Sequence, residues 1–142
     1  MSENHYDENC IFCKILKGEI PSFRVYESDT FIVFMDTAPG NKGHSLIVPR
    51  KHMATIFDTE DGLGDELLAI QRKVGRAIMT ATGATGMNIL QNNFRDAGQA
   101  VDHIHWHLVP RHAGDKLFPW KTMSYDSMDE MAAMAEKIKK SL

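Results

Sequence analysis

One stretch of the chain decides its fold and its chemistry: His103-Ile104-His105-Trp106-His107-Leu108-Val109, followed by Pro110-Arg111. Polar and apolar residues alternate strictly, and successive side chains of a β-strand point to opposite faces. The stretch therefore predicts a strand whose apolar residues face a core while the three histidines share the other face. Same-face neighbours on a strand lie roughly 6.6–7 Å apart, so the three imidazoles can reach one small polar ligand.

The three histidines allow more than one kind of site. Neutral imidazole is a nucleophile, a general base and a metal ligand, whereas imidazolium is an acid and binds anions. A His-x-His pair on a strand is also a common ligand pair for a catalytic metal ion. A purely structural role explains one histidine far more easily than three in alternation. The stretch alone therefore leaves a nucleophilic site and a catalytic metal site open.

Length and composition bound the class of protein. The chain has 142 residues, of which 43% are hydrophobic and 25% charged, and its net charge is −3. These values predict a single globular domain over 1–142, without the basic surface of a general nucleic-acid-binding protein. No apolar run approaches the ~20 residues of a membrane span. The polar, acidic residues 1–8 predict a loose tail that resembles no signal or transit peptide, so we expect a cytoplasmic location.

The two cysteines of the chain form a Cys-x-x-Cys motif, Cys10-Ile11-Phe12-Cys13. In a reducing compartment such a pair is a redox couple, half of a zinc site or two unpaired thiols. A redox motif usually sits in a βαβ setting, which this sequence lacks. Zinc needs two more ligands, for which His44, His52 and His103 are candidates. Composition alone favours zinc.

Strand and helix patterns predict an α+β fold. Alternating or β-branched segments predict five strands, at 23–27, 30–35, 44–49, 86–92 and 103–109. A short helical turn over 14–17 ends at Gly18. The connections are short, which favours a five-stranded antiparallel sheet with helices packed on it.

Two longer helices are predicted. The first has Asp58 or Thr59 as its N-cap and ends at Gly83, and its apolar residues recur at three- and four-residue steps, which places one face on the core. The second, over 127–140, begins with a capping box formed by Ser127 and Glu130. Its methionines suggest either a promiscuous binding surface or the filling of an irregular core, and we expect the core role.

The stretch of alternating histidines resembles the His-φ-His-φ-His-φ-φ signature of the histidine triad (HIT) superfamily. Further blocks that match the family in order are Ile11-Phe12-Cys13-Lys14-Ile15, Gly18-Glu19-Ile20-Pro21, Phe34-Met35-Asp36, Gly43-His44-Ser45-Leu46-Ile47-Val48-Pro49, Asn92, Ala97-Gly98-Gln99 and Pro110-Arg111. The resemblance covers nearly the whole chain. It implies nucleotide hydrolases or transferases that act on an α-phosphate, as homodimers whose sheets join into one ten-stranded sheet.

The resemblance also implies catalytic roles. His105 matches the nucleophile that forms a nucleotidyl-histidine intermediate, and its chemistry suits covalent catalysis because imidazole is largely unprotonated at neutral pH. His107 matches the residue that binds the phosphate oxygens, and His44 matches a histidine that supports the active site. The remaining matches contact the nucleotide: Ile11 and Phe12 at the base, Asp36 at the ribose hydroxyls, and Asn92 and Gln99 at the phosphates and leaving group.

A bacterial-type subset of the family carries Cys-x-x-Cys in this N-terminal position. There zinc is held at the positions of Cys10, Cys13, His52 and His103, and two cysteines with two histidines form a closed, structural site. This likeness weighs against a catalytic metal at the three histidines. One departure from the family pattern is Ala100, where many members have a Ser or Thr hydroxyl that contacts the phosphate.

The leading hypothesis is therefore a nucleotidyl hydrolase that cleaves a dinucleoside polyphosphate or a nucleoside phosphoramidate at the α-phosphate. The apolar base pocket favours a purine nucleotide. We expect a homodimer with structural zinc, and neither a nucleic acid nor a membrane as partner. Two alternatives remain: a nucleotide-binding regulatory module with little turnover, and a transferase that passes the nucleotide to a second phosphate.

Overall fold

β-Branched and aromatic residues form the centre of a five-stranded antiparallel sheet in the computed structural model, which describes residues 6–117 and 121–142. The strand order is β1-β2-β3-β5-β4, and every neighbouring pair is antiparallel. The strands are β1 (Arg24–Glu27), β2 (Phe31–Met35), β3 (Ser45–Pro49), β4 (Gly86–Leu90) and β5 (Trp106–Arg111). The α-helices are α1 (Ile11–Leu16), α2 (Gly64–Thr82) and α3 (Met128–Lys140). The predicted α+β fold is confirmed.

The two faces of the sheet carry separate apolar clusters because neighbouring residues of a strand point to opposite sides. Helix α2 covers one face, where Ile70, Val74 and Ile78 pack against residues of β2, β3 and β5. Helix α1 covers the other face, where Phe12 and Ile15 join residues of β2 and β3. The sheet is thus held between the long helix and the N-terminal segment.

The alternation of the histidine stretch is confirmed, but the strand is shorter than predicted. Ile104, Trp106 and Leu108 all lie in the cluster under α2. The histidines consequently point to the α1 side, yet β5 begins only at Trp106. The reason is visible in the backbone: the Ile104 N–H donates to the Met53 carbonyl at 2.7 Å, away from the sheet ladder.

The predicted boundaries of the long helix are half right. Gly83 ends α2 in the left-handed conformation, with φ at 70°, and its N–H donates to the Met79 carbonyl. The N-terminal prediction is wrong, because α2 starts after Leu63, and Asp58 instead closes a capping box with Thr55 around a separate 3₁₀ turn, Ile56–Asp58. The predicted turn near 14–17 is a longer helix, α1, which Cys10 caps.

The C-terminal helix does not fill the core, so that prediction is wrong. Every residue of α3 is exposed, including Met131 at 50% and Ile138 at 58%. Half of the predicted capping box is present, because the Ser127 hydroxyl accepts the Glu130 N–H at 3.1 Å. The other half differs, because the Glu130 carboxylate accepts the N–H of Asp126 and not that of Ser127. Most of the predicted N-terminal tail, and Trp120, lie outside the described residues.

None of the helices in the described ranges is long and apolar enough to span a bilayer.

Candidate active site and metal centre

Two cysteines and two histidines meet between α1 and the approach to β5. The Sγ of Cys10 lies 3.4 Å from Nδ1 of His103, and the Sγ of Cys13 lies 3.3 Å from Nδ1 of His52. The two Nδ1 atoms are 3.2 Å apart. Tetrahedral zinc with ordinary bond lengths separates two nitrogens by about 3.3 Å and a nitrogen from a sulfur by about 3.6 Å. The four donors therefore have the spacing of a Cys₂His₂ zinc site.

Hydrogen bonds around this cluster free the correct atoms for a metal. The Nε2–H of His103 donates to the Pro49 carbonyl at 2.8 Å, which leaves the Nδ1 lone pair facing the sulfurs. The backbone N–H groups of Cys13 and Asp7 point at the sulfurs of Cys10 and Cys13, at 3.3 and 3.5 Å. Such N–H groups stabilise thiolates, which are the form that binds zinc.

The pKa values of the cluster residues bear on zinc binding as well. Burial lowers the pKa of His103 to about 4, so its ring is neutral and able to act as a ligand. Burial also raises the pKa of the Cys13 thiol to about 11, because apolar surroundings disfavour an isolated thiolate. A bound dication reverses this preference. The residues fit zinc as a group with four protein ligands and no open position.

His105 lies beside this cluster and presents the opposite ring nitrogen. Its Nδ1–H donates to the carbonyl of His103 at 2.7 Å, so Nε2 carries the lone pair. The ring packs edge-on against Phe12 at 5.0 Å and lies 4.9 Å from the ring of His107. Only 7% of His105 is exposed. The residue is a buried imidazole, fixed in one orientation, with an unprotonated Nε2.

A chain of hydrogen bonds orients His107. The backbone N–H of Gly40 donates to Nδ1 of His44 at 3.0 Å, so the proton of a neutral His44 ring sits on Nε2. That Nε2 lies 2.8 Å from Nδ1 of His107 and donates to it. The proton of a neutral His107 ring must then be on Nε2. The Gly40 N–H therefore determines, through His44, that Nε2 of His107 is a hydrogen-bond donor.

All three of these histidines are neutral near pH 7. Burial lowers the pKa of His105 and of His44, and it lowers the pKa of His107 to about 4 with help from the neighbouring rings. Neutral rings are what the hydrogen bonds require, because each ring uses one nitrogen as donor and keeps the other as acceptor. The group can thus attack an electrophile at His105 and donate a hydrogen bond from His107.

Asp36 completes the group but does not turn it into a metal site. Its Oδ2 lies 3.6 Å from Nε2 of His44, and the ligand atoms of Asp36, His44 and His107 lie within 4.8 Å of one another. A metal between them needs the Nε2 lone pair of His44, which the Gly40 N–H forces to carry a proton instead. The structure therefore favours the nucleophilic interpretation of the histidine stretch over the catalytic-metal one.

The other residues that we predicted to contact the nucleotide differ in their exposure and in their hydrogen bonding. Phe12 is buried against His105, whereas 48% of Ile11 is exposed beside it. Asn92 is half-buried at the end of β4, and its amide lies near Gly98. Gln99 is 2% exposed, and both donors of its amide are used, by the carbonyls of Ala54 and Val101. A contact from this amide to a phosphate requires one of those bonds to break.

Sequence reasoning missed the residues that hold the Gly40 loop in place. Asn41 donates to the Pro110 carbonyl at 2.8 Å and to Asp115 at 2.9 Å. Asp115 also pairs with Arg111 and accepts the His112 N–H, contacts that hold the pKa of its carboxyl well below the usual range. This network ties the loop after β2 to the end of β5. The run Pro39-Gly40-Asn41 is typical of a loop, but it carries no sign that the Gly40 N–H acts as a donor.

The family model described as "HIT domain" matches residues 17–114, which is more than half of the chain. The chain belongs to the HIT family. Protein hit of Bacillus subtilis is 39% identical over 128 residues, which cover 89% of this chain and 88% of the relative. Adenosine 5′-monophosphoramidase hnt1 of Schizosaccharomyces pombe is 38% identical over 131 residues, which cover 92% of this chain and 96% of the relative.

Solved structures of HIT proteins confirm the fold. A HIT family member from Bacillus subtilis has a TM-score of 0.85 at 34% identity, over 95% of this chain and 98% of that one. A zinc-bound histidine triad protein from Mycobacterium smegmatis has a TM-score of 0.73 at 32% identity, over 93% and 97%. Relatives that bear enzyme names, hnt1 among them, confirm the prediction of an enzyme of this family.

Proposed function

We propose that this HIT protein hydrolyses a nucleoside phosphoramidate or a dinucleoside polyphosphate at the α-phosphate, through a covalent nucleotidyl–His105 intermediate. The observation that carries the proposal is the fixed tautomer of His105: its Nδ1–H is bound to the carbonyl of His103, which leaves Nε2 as a nucleophile in a buried site. The relative hnt1 is named an adenosine 5′-monophosphoramidase, which supports this class of substrate.

In the first step, the Nε2 lone pair of His105 attacks the α-phosphorus and forms an N–P bond. The P–N or P–O bond to the leaving group breaks, and its electron pair departs with the leaving group, which takes up a proton from solvent. The Nε2–H of His107, fixed by His44, donates to a phosphate oxygen and stabilises the charge that develops there. The ring of His105 keeps its Nδ1–H on the His103 carbonyl, which stabilises the cationic nucleotidyl-imidazole.

In the second step, water attacks the same phosphorus and the N–P bond breaks. The electron pair returns to Nε2 of His105, which restores the neutral ring, and a nucleoside monophosphate leaves. Dividing one displacement into two lowers the barrier of each. Transfer to a second phosphate starts from the same intermediate and differs only in the acceptor.

We further propose that Asp36 accepts hydrogen bonds from the ribose hydroxyls and that Ile11 and Phe12 form the apolar wall beside a purine. Asp36 is half-buried next to His44, and Phe12 packs against His105, and this closeness to the histidines supports both roles. Asn92 and Gln99 belong to the loop around the leaving group. The engaged amide of Gln99 supports a role for this residue in shaping that loop.

Zinc held by Cys10, Cys13, His52 and His103 is part of the proposal. Zinc held there would supply a structural link and would leave no open position for a substrate, because all four ligands come from the protein. It would fix His103, whose carbonyl in turn orients His105. A cytoplasmic location suits thiols that serve as metal ligands, since reducing compartments keep them unpaired.

A homodimer completes the proposal. The exposed face of α3 carries Met128, Met131 and Ile138, which nothing in the described part of this chain covers. Strand β4 lies at one edge of the sheet, where a second copy can extend it. Helix α3 is acidic at its start and basic at its end, so two copies in antiparallel orientation present opposite charges to each other.

The experiment that tests the function is a turnover assay on one preparation with two substrates, adenosine phosphoramidate and a diadenosine polyphosphate. We expect turnover of at least one of them, and loss of that turnover in His105→Ala while binding of adenosine monophosphate is kept. Tight mononucleotide binding by the wild type without turnover of either substrate would favour the nucleotide-binding module. Sedimentation of the same sample should give twice the mass of the chain.

A further inference from the structure

Two phenylalanine rings form an exposed stack at the end of the molecule where β4 leads into the loop that precedes β5. The rings of Phe57 and Phe94 lie 6.1 Å apart at an interplanar angle of 14°. The side chains are 76% and 59% exposed, so the stack buries little of either ring. An exposed pair of parallel aromatic faces is the kind of surface on which a nucleobase stacks.

The backbone of Phe94 has a conformation that residues other than glycine rarely adopt. Phe94 has φ 70° and ψ 161°, a combination that is essentially restricted to glycine. Among the described residues, the only other non-glycine residue with positive φ is Lys116. A glycine at this position would adopt the conformation without strain but would lack the aromatic ring. Strain of this kind persists only where the surrounding structure imposes it, and residues under such strain cluster at active sites and ligand-binding sites.

The surrounding loop imposes that conformation. The Phe94 N–H donates to Oε1 of Gln99 at 2.7 Å, and the Phe94 carbonyl accepts the N–H groups of Ala97 and Gln99, both at 3.1 Å. Phe57 is brought alongside by a separate bond, from the Ile56 N–H to Oδ1 of Asn93 at 2.8 Å. Four hydrogen bonds thus fix the two rings against each other.

The chain limits how far the stack can lie from His107. Leu90, the last residue of β4, is paired with His107, and Phe94 follows Leu90 by four residues. Four residues of extended chain span at most ~14 Å. A polyphosphate bridge and a ribose cover a comparable distance. The intervening Asn92 belongs to the side on which the leaving group is expected.

We propose that the Phe57–Phe94 pair is a stacking platform for the second nucleobase of a dinucleoside polyphosphate, the base that departs with the leaving group. The inference rests on the proposed function and extends it to the leaving-group side. Stacking involves the flat face of a base and not its hydrogen-bonding edge. The platform therefore accepts purines and pyrimidines alike. It contributes nothing to a substrate whose leaving group is ammonia or a simple amine.

The test compares two substrates in four proteins: wild type, Phe94→Gly, Phe57→Ala and Phe94→Tyr. For diadenosine tetraphosphate, Phe94→Gly and Phe57→Ala should each lower kcat/KM about 10-fold, the loss expected for one stacked base. For adenosine phosphoramidate, kcat/KM should stay within twofold. Phe94→Tyr keeps an aromatic face under the same backbone strain and should retain both activities. Phe94→Gly should not lower the thermal midpoint, because glycine relieves the strained φ.

A binding measurement separates this inference from the proposed function. A non-hydrolysable diadenosine tetraphosphate analogue should bind about 10-fold more weakly to Phe94→Gly than to wild type, whereas adenosine monophosphate should bind equally well. This result is expected whether or not the protein turns over either substrate. Equal losses for both ligands, or none, would overturn the platform. A halved sedimentation mass with equal losses would identify the two rings as a contact between copies.

Discussion

His103 and His105 stand two residues apart on the same side of the chain, yet they present opposite ring nitrogens. His103 donates from Nε2 to the Pro49 carbonyl, so its Nδ1 faces the two sulfurs. His105 donates from Nδ1 to the carbonyl of His103 itself, so its Nε2 faces the open site. Identical side chains thus present different lone pairs, Nδ1 to the sulfurs and Nε2 to the open site, because different backbone carbonyls accept their protons.

The comparison also shows how the two sites depend on each other. The carbonyl that orients His105 belongs to His103, so the proposed zinc on His103 would steady His105 without touching the substrate. His107 is set from the other side, by the Gly40 N–H acting through His44. Three histidines in a row therefore receive their roles from three different parts of the fold.

The largest effect is expected for the nucleophile. His105→Ala should lower kcat by about 10³-fold or more, because no other imidazole can replace Nε2 at that position. Zinc content and the thermal midpoint should stay close to those of wild type, since His105 lies outside the cysteine cluster. Steady-state kinetics with metal analysis of the same sample checks both statements. Wild-type turnover in this variant would show that the nucleophile is misassigned.

The opposite pattern is expected for the metal cluster. Wild-type protein should contain about one zinc per chain, and Cys10→Ala combined with Cys13→Ala should contain none. Loss of a ligand that binds only the folded state lowers the free energy of unfolding by about 4 kcal/mol when its concentration exceeds Kd a thousandfold. Denaturant unfolding measures this loss. A metal-free wild type of unchanged stability would remove zinc from the account.

The next largest effect, on kcat, is expected when the backbone N–H of Gly40 is removed. Gly40→Pro removes the N–H that donates to His44, so Nε2 of His44 no longer must carry the proton that orients His107. Loss of one hydrogen bond of about 1 kcal/mol predicts a drop in kcat of roughly 5-fold to 10-fold. Gly40→Ala keeps the N–H, and its added Cβ meets the flexible end of Leu117, so it is the matched control. Equal kinetics for the two variants would exclude the orienting role.

The smallest effect concerns pH. Burial lowers the pKa of His107 to about 4, against ~6.5 in the unfolded chain, so the unfolded state binds more protons between these values. The stability due to neutral His107 is complete above pH 6.5 and is lost as the pH falls towards 4. After allowance for partial exposure, wild type should lose on the order of 1 kcal/mol more than His107→Asn between pH 7 and pH 5.

Unfolding both proteins at these two pH values gives this difference directly, because titration of the zinc ligands affects both in the same way. A pH dependence that is identical in wild type and His107→Asn would contradict the buried, neutral state of the ring.

Binary patterning made much of the fold predictable. Alternation in the histidine stretch placed Ile104, Trp106 and Leu108 in the core, because the side-chain period of two survives even where the strand has not yet begun. The four cluster residues followed from motif likeness, and the structure brings their donor atoms together. The alternation depends on local spacing, which the sequence contains directly, whereas the four cluster residues depend on the resemblance to the family.

What the sequence could not provide depends on long-range contacts. The tautomers of the histidines follow from backbone carbonyls, which every residue has, and backbone N–H groups, which every residue except proline has. The sequence therefore gives no sign that Gly40 acts as a donor or Pro49 as an acceptor. The exposure of α3 was mispredicted because an apolar stripe looks the same whether it meets its own core or a second copy. The positive φ of Phe94 has no composition signal at all.

The most direct test of the division between the histidines is to trap and map the covalent intermediate. Wild-type protein is mixed with adenosine phosphoramidate or diadenosine tetraphosphate, quenched in alkali within the first turnover and digested, and the peptide that spans residues 103–111 is sequenced by mass spectrometry. We predict a nucleotidyl group on His105 and none on His103 or His107. A nucleotidyl group on His107, or turnover without any adduct, would contradict the account.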